Sequence, residues 1–415
     1  MLIEYIVLLL LGIAAGAAAG LLPGLHVNNI GAVAMPLMAG LGIDPLSFAI
    51  FLTAMATSQG FLNFIPAIFL GAPDESTVLS VLPTHRMLLS GRGKEAVKLT
   101  GKASLYGVFL SLLFLPAAFV IVPLAYSAAR VAVVPILTFA ISFLILRERK
   151  VEKILFASAA FFISGYLGWT CLNIKSLSTS QIFLPMFSGL FGLSSLLAGM
   201  AAKTKSYPQD DDCELQISDK GLWRGSLMGA IGAILVGLLP AMSPSQIGIF
   251  FQELSALKER AQERLEELHV RRFIAMVASL NTADALFSIF AVYLMGNPRS
   301  GVSVIMQDLF GSLNIEILAV LCLVMLVSGL ISYKIHMFIG EHFAGAAGRM
   351  DFRKLSAGAF AFVIVLVFAT TGLFGLLIAA VSTAVGLVPA LTGVSRTHCM
   401  GCLLMPTLLF FTGAG

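Results

Sequence analysis

Of 415 residues, 58% are hydrophobic and 12% charged, and the mean hydropathy is +0.95. Soluble domains run near about 45 to 50% apolar and about 25% charged, so a soluble globular fold is excluded. The formal net charge of +4, from 26 Lys and Arg against 22 Asp and Glu, gathers in a few short segments, which marks membrane topology rather than a nucleic-acid-binding face.

The apolar runs are continuous rather than alternating, which points to an all-α polytopic integral membrane protein of the cell membrane and away from a β-barrel. The first run, 2–22, carries Gly12, Gly16 and Gly20 at a spacing of four, one helix face open to a close neighbour. It has no basic n-region and contains Glu4, so it reads as the first membrane segment rather than a cleaved signal. Pro23-Gly24 ends that helix, and His26, Asn28 and Asn29 follow at membrane depth. Backbone released from a helix there is tolerated only beside protein or a water-filled cavity, so Pro23, Gly24, His26, Asn28 and Asn29 are candidate substrate-binding positions. The structural alternative is a kinked helix with a packed polar cluster.

Runs 27–41 and 46–70 follow, the second containing Ser58, Gln59 and Asn63. After it comes GAPDEST, 71–77, where Ser76 and Thr77 can open a helix whose free N–H groups suit an anion. Under the alternative, Asp74 and Glu75 merely cap that helix and complement its dipole. Runs 104–128, 131–146, 154–174 and 181–202 complete a first repeat, 1–202. The basic segments 85–102 (Arg86, Arg92, Lys94, Lys98, Lys102) and 147–153 are expected on the cytoplasmic side. A hydrophilic linker, 203–220, precedes a second repeat, 221–415, with runs 221–239, 272–295, 312–333, 355–381 and 384–415, for ten to twelve passes in all.

The repeat is visible in the residues. Gly12, Gly20, Leu21, Leu22, Pro23, Ile30 and Gly31 recur 217 positions later as Gly229, Gly237, Leu238, Leu239, Pro240, Ile247 and Gly248. Gly165 and Pro185 recur 221 positions later as Gly386 and Pro406. The second-half basic clusters, 258–272 and 334–354, sit where the first half is nearly bare, as expected of inverted-topology repeats. Inversion requires an odd number of crossings per half, so at least one interrupted stretch is expected to be re-entrant. Pro240 is followed by Ser243, Ser245 and Gln246, and paired broken helices in inverted halves point to a midplane binding site.

Asp284 is the acid within 272–295, costly in lipid and therefore a functional candidate. With Asn281 and Thr282 it forms the expected ion-coupling group for Na+ or H+; the alternative is a hydrogen bond to another helix. Enzyme signatures fail. The spacing of His336, Glu341 and His342 does not fit a zinc helix, and no HExxH or P-loop occurs. His398-Cys399-x-x-Cys402 is a lone pair in an apolar tail. No cofactor or metal is expected, and five cysteines give no disulfide framework.

LLPGLHVNNIGAVAMPLMAGLGIDP (21–45), GAPDESTVLSVLPTHRMLLSGRGKEAV (71–97), LPMFSGLFGLSSLL (184–197) and the repeat together resemble the TctA family, the large permease of tripartite tricarboxylate transporters. The chain departs from that family's pattern at Ala72-Pro73-Asp74-Glu75 and at His26, as a divergent branch would. The resemblance implies a secondary carrier of citrate-type carboxylates, working with a small membrane subunit and an extracytoplasmic binding protein. Two rivals stand beside it: a transporter or flippase of a phosphorylated lipid carrier, and an intramembrane enzyme using His26, His398 or the cysteines. Transport is preferred because paired broken helices have a mechanical use and no complete catalytic group is present.

Overall fold

The structure is a computed structural model that describes residues 2–22, 27–69, 78–175, 177, 179–201, 209–210, 214–238, 244, 247–248, 250–251, 263–295, 301–312, 314–346 and 351–413. Among these, helices joined by turns and short loop residues make up the fold and no strand occurs. Nine helices among the described residues are long and apolar enough to cross a membrane. Exposed apolar side chains such as Leu2, Leu113, Leu124, Leu373 and Leu377 provide the lipid-facing surface of such a protein.

The first elements are α1 (Leu2–Leu21), α2 (Val27–Gly40), α3 (Pro45–Leu62), α4 (Phe64–Phe69) and α5 (Val78–Leu89). The long α6 (Gly93–Val131) leads to α7 (Val133–Leu146), α8 (Val151–Leu172) and α9 (Thr179–Phe187). A π-helical turn, Ser188–Leu193, joins α9 to α10 (Ser194–Ala201). Then come α11 (Asp219–Leu238), α12 (Glu263–Met295), α13 (Gly301–Phe310), α14 (Ile315–Ala346) and α15 (Phe352–Thr392). A 3-10 turn, Arg396–Met400, precedes α16 (Gly401–Thr412).

Several boundaries differ from the sequence expectation. Lys94, Lys98 and Lys102, expected in a loop, lie on the first turns of α6, whose Ala96, Val97, Leu99 and Ala103 are buried. An amphipathic start of this kind escapes a purely apolar window. The same effect begins α12 at Glu263, nine residues before the expected run. The expected separate runs 355–381 and 384–415 divide instead after Thr392, and α15 bends at Gly372 (φ 65°, ψ −158°). Only glycine enters that backbone region freely. At 14 residues each, α2 and α7 rise about 21 Å, short of a hydrocarbon core of roughly 30 Å.

Glycine sets the closest packing. Cβ atoms added at Gly12 and Gly16 would lie 2.4 and 2.2 Å from the Phe51 and Met55 carbonyl oxygens, and Gly20 abuts Leu62, so α1 runs alongside α3 in the same direction. The pattern returns at Gly225 against Arg272, Gly229 against Met276 and Gly237 against Phe287, so α11 runs parallel to α12. Contacts of Arg271 with Glu95, Ser279 with Gly107 and Phe290 with Phe119 make α6 parallel to α12. Along α14, His336 and then Gly340 meet Phe61 of α3 and then Ile65 of α4, but Thr100 and then Val97 of α6. Consequently α3 runs with α14 and against α6, and the pair α1/α3 runs opposite to the pair α11/α12.

A second group packs α8 against α16 and joins α9, the π-helical turn and α10 to α15. Gly165 meets Met405, whereas Gly386, 221 positions on, meets Leu190 and Ser194. Lying between the two groups, α2 touches α3, α9 and α13.

Candidate functional site

The site forms where α3 breaks. Pro66 has no N–H to give the Leu62 carbonyl, and its ring presses on that carbonyl, so one helix cannot run through. The helix stops at Leu62, and Asn63 forms the turn into α4 inside a buried apolar stretch, Pro45–Phe69. A helix end leaves carbonyls without intrahelical donors.

Second-half helices supply donors for two of those carbonyls. The Asn63 N–H donates to the Gln59 carbonyl at 3.0 Å. Asn281 Nδ2 on α12 donates to the Gly60 carbonyl at 3.0 Å and to Asn63 Oδ1 at 3.2 Å. On α14, His336 Nδ1 lies 2.9 Å from the Phe61 carbonyl. All of these groups are enclosed, with Gln59 3% and Asn63 4% exposed and His336 wholly buried.

The same break reaches α2. Its first described residue, Val27, donates its N–H to Gln59 Oε1 at 2.9 Å. Gln59 therefore caps the helix that follows Pro23-Gly24 while belonging to the last turn of α3. Thr282 Oγ1 donates to the Ser104 carbonyl of α6 at 2.9 Å, and Gly60 packs on Thr282. These ties hold α2, α3, α6 and α12 together at one level.

Two polar atoms here have no hydrogen-bond partner among the described residues, Ser58 Oγ and Asp284 Oδ1. Asp284 lies 225 positions after Gln59, the displacement that also relates Phe51 to Met276 and Leu62 to Phe287, the residues met by equivalent glycines. Counted from those glycine contacts, the place on α3 where the Gln59 amide receives a helix N-terminus is taken on α12 by the Asp284 carboxylate.

Of the expected site residues, the structure brings Gln59, Asn63, Asn281 and Thr282 together, with Ser58 and Asp284 on the same helices. Pro23, Gly24, His26, Ser76, Thr77, Ser243, Ser245 and Gln246 lie outside the described residues, as do the side chains of Asn28 and Asn29. His336 is not among the expected site residues, because it falls just past the run 312–333 and its spacing to Glu341 and His342 fits no zinc helix. Pro66 was a readable signal for the break.

No group of three or more His, Cys, Asp or Glu able to hold a metal occurs among the described residues. His398 Nε2 pairs with Glu148 Oε1 at 3.0 Å, and Cys399 and Cys402 are buried free thiols. Away from the membrane interior, Glu95 of α6 is fully buried between Arg92 (2.6 Å) and Arg271 (2.9 Å) and accepts the Gln216 N–H at 2.9 Å. Arg92 also reaches Glu267 at 4.0 Å, so the basic segments around 92 and 270 share one end of the bundle.

Apolar helices interrupted midway, with their exposed backbone ends answered by polar side chains from other helices, make this a polytopic membrane transporter. The chain belongs to the family described as the Tripartite tricarboxylate transporter TctA family, which residues 6–401 match. It is thus an integral membrane permease and not an enzyme, in a family of tripartite transporters that carry carboxylates with a small membrane subunit and a periplasmic binding protein. An uncharacterized protein of Methanocaldococcus jannaschii is 27% identical over 409 residues, covering 97% of this chain and 98% of its own. No solved structure matches.

Proposed function

We propose that the chain is a secondary transporter of a small tricarboxylate-like anion, driven by a Na+ or H+ gradient. Two inverted halves, 1–202 and 221–415 joined by the linker 203–220, would alternate access around a midplane site at the breaks after Pro23 and Pro240. The opposite directions of α1/α3 and α11/α12 support inversion, as do the equivalent glycines Gly165 and Gly386, each packed on the other half.

The observation that carries the reading is the tie of Asn281 to Gly60 and Asn63 beside the Gln59 cap on α2. Broken helices of this sort offer N-terminal N–H groups to carboxylates and C-terminal carbonyls to cations. In this proposal Pro23, Gly24, His26, Asn28, Asn29, Ser58, Gln59, Asn63, Ser76, Thr77, Ser243, Ser245 and Gln246 surround the anion. Asp284 carries the coupling charge, with Asn281 and Thr282 fixing its helix. A small membrane subunit and an extracytoplasmic binding protein complete the carrier.

Uptake by proteoliposomes tests this with citrate, other carboxylates and polyprenyl phosphate, with and without Na+ or H+ gradients. Gradient-driven accumulation of a carboxylate is the expected result. Movement of polyprenyl phosphate with no carboxylate uptake would replace it with the lipid-carrier reading.

A further inference from the structure

His336 has acceptors on both sides of its ring. Nδ1 faces the Phe61 carbonyl at 2.9 Å, and Nε2 lies 3.1 Å from the Val97 carbonyl and 3.3 Å from Thr100 Oγ1. A neutral imidazole has one N–H and one lone pair, so two flanking carbonyls suit a ring that donates from both nitrogens. The Thr100 hydroxyl changes the balance. It donates to the Ala96 carbonyl at 2.8 Å, yet by rotating it can donate instead to Nε2. The charged ring is satisfied by Phe61 and Val97, and the neutral ring by Phe61 and a turned Thr100 hydroxyl. A histidine serving only as a structural tie needs one of these sets, and this pocket holds both.

The ring also faces the broken end of α3. Phe61 lies in the last turn before Asn63. No titratable residue occurs on α3 or α4. On α6, Glu95 is held by Arg92 and Arg271, and Lys98 and Lys102 lie one to two turns along. Asp284 is the acid on the adjoining part of α12, and on α14 itself Lys334 sits over the Tyr333 ring. The groups recorded in the ring's hydrogen-bond shell are all uncharged.

We propose that His336 is a proton-binding site, built by α3, α6 and α14 at the α3 break, whose occupancy is tied to the packing of those helices. The ring is 0% exposed, so a proton enters or leaves only when the helices around it part. Its role in transport rests on the permease reading above, but proton binding does not.

The experiment is nitrogen NMR of the full chain in lipid bilayers, labelled with 15N-histidine. The His336 resonance is identified as the one of six that His336→Gln removes. Expected is a change from imidazole to imidazolium as the pH is lowered. In Thr100→Val the neutral ring loses its donor, so the imidazolium should persist to higher pH, which also identifies the resonance if His336→Gln does not fold. One neutral tautomer at every pH, or a titration indifferent to Thr100→Val, overturns the proposal. Citrate uptake against pH is a separate measurement. Absent uptake with an intact titration would reject the tricarboxylate-carrier proposal and keep the proton site; a pH profile unchanged in His336→Gln would remove the site from transport.

Discussion

Asn281 and His336, 55 positions apart on different helices, hold consecutive carbonyls of α3, those of Gly60 and Phe61. The last turn of a broken helix is thereby satisfied from other helices, once by an amide and once by an imidazole. A carbonyl at such a place, left without a donor in an apolar interior, costs about 1–3 kcal/mol. Any movement that parts α3 from α12 or α14 must find new donors for these groups, which makes the break a natural point for conformational change.

Asn281→Leu removes both bonds of that amide while keeping its bulk. A stability loss of about 1–3 kcal/mol is expected from the orphaned Gly60 carbonyl, with a larger proportional loss of transport because Asn63 is also released. Thermal unfolding in detergent beside uptake in liposomes measures the two. Wild-type uptake in a destabilised protein would assign Asn281 a purely structural place.

The arrangement of Arg92, Glu95, Glu267 and Arg271 requires the segments near 92 and 270 to lie on one side of the membrane. Their positive charge makes that side cytoplasmic. Cysteines placed at Ser90 and Val270 should react with an impermeant thiol reagent only from the cytoplasm. Labelling from opposite faces would defeat both the topology and the inverted-halves proposal.

Glu95 is the hub of that cluster, 0% exposed and touched by two guanidinium groups. Glu95→Gln leaves Arg271 partly unpaired in a buried place, and a loss of about 3–5 kcal/mol is expected. The double change Glu95→Leu, Arg271→Met removes both charges and should recover much of it. Additive losses in the double variant would show that the pair is not energetically coupled.

Asp44 caps α3, accepting from the Leu46 and Ser47 amides at 3.0 and 3.1 Å and from the Ser47 hydroxyl. Burial pushes its carboxyl pKa up, but the bonds from Ser47 and Leu46 together outweigh this and hold it below its ordinary 3.8. Since the charged form is favoured in the fold, the cap contributes above pH 3.8 and is lost as pH falls through the lower folded value. Asp44→Ala should cost about 1 kcal/mol at neutral pH and little below that window. Equal cost at both pH values would contradict the capping role.

The helical membrane class was readable because lipid demands continuous apolar runs, and the glycines from Gly12 to Gly20 marked a face that the structure packs on α3. Helix ends were read less well where amphipathic turns extend past the apolar run, as at Lys94 and Glu263. Asn281 and Gln59 could be named from sequence, since polar amides at membrane depth are costly unless used. Their partners could not: which carbonyl lacks a donor depends on where α3 stops, and that is decided by Pro66 acting on Leu62 in the folded chain.

Asp284 offers the sharpest test of ion coupling. It stands 225 positions after Gln59, whose amide oxygen receives the Val27 N–H, and its own Oδ1 has no partner among the described residues. A charge placed in a membrane interior is retained where it binds an ion or moves a proton. Asn281, one helical turn before it, is anchored to α3, so an ion bound at Asp284 would pull directly on the helix whose broken end closes the site. Asp284→Asn keeps the shape and an oxygen but discards the charge. Exchange of carboxylate across the membrane should survive in this variant while gradient-driven accumulation falls at least tenfold. Accumulation at the wild-type rate in Asp284→Asn would sink the coupling role and leave Asp284 a structural acid.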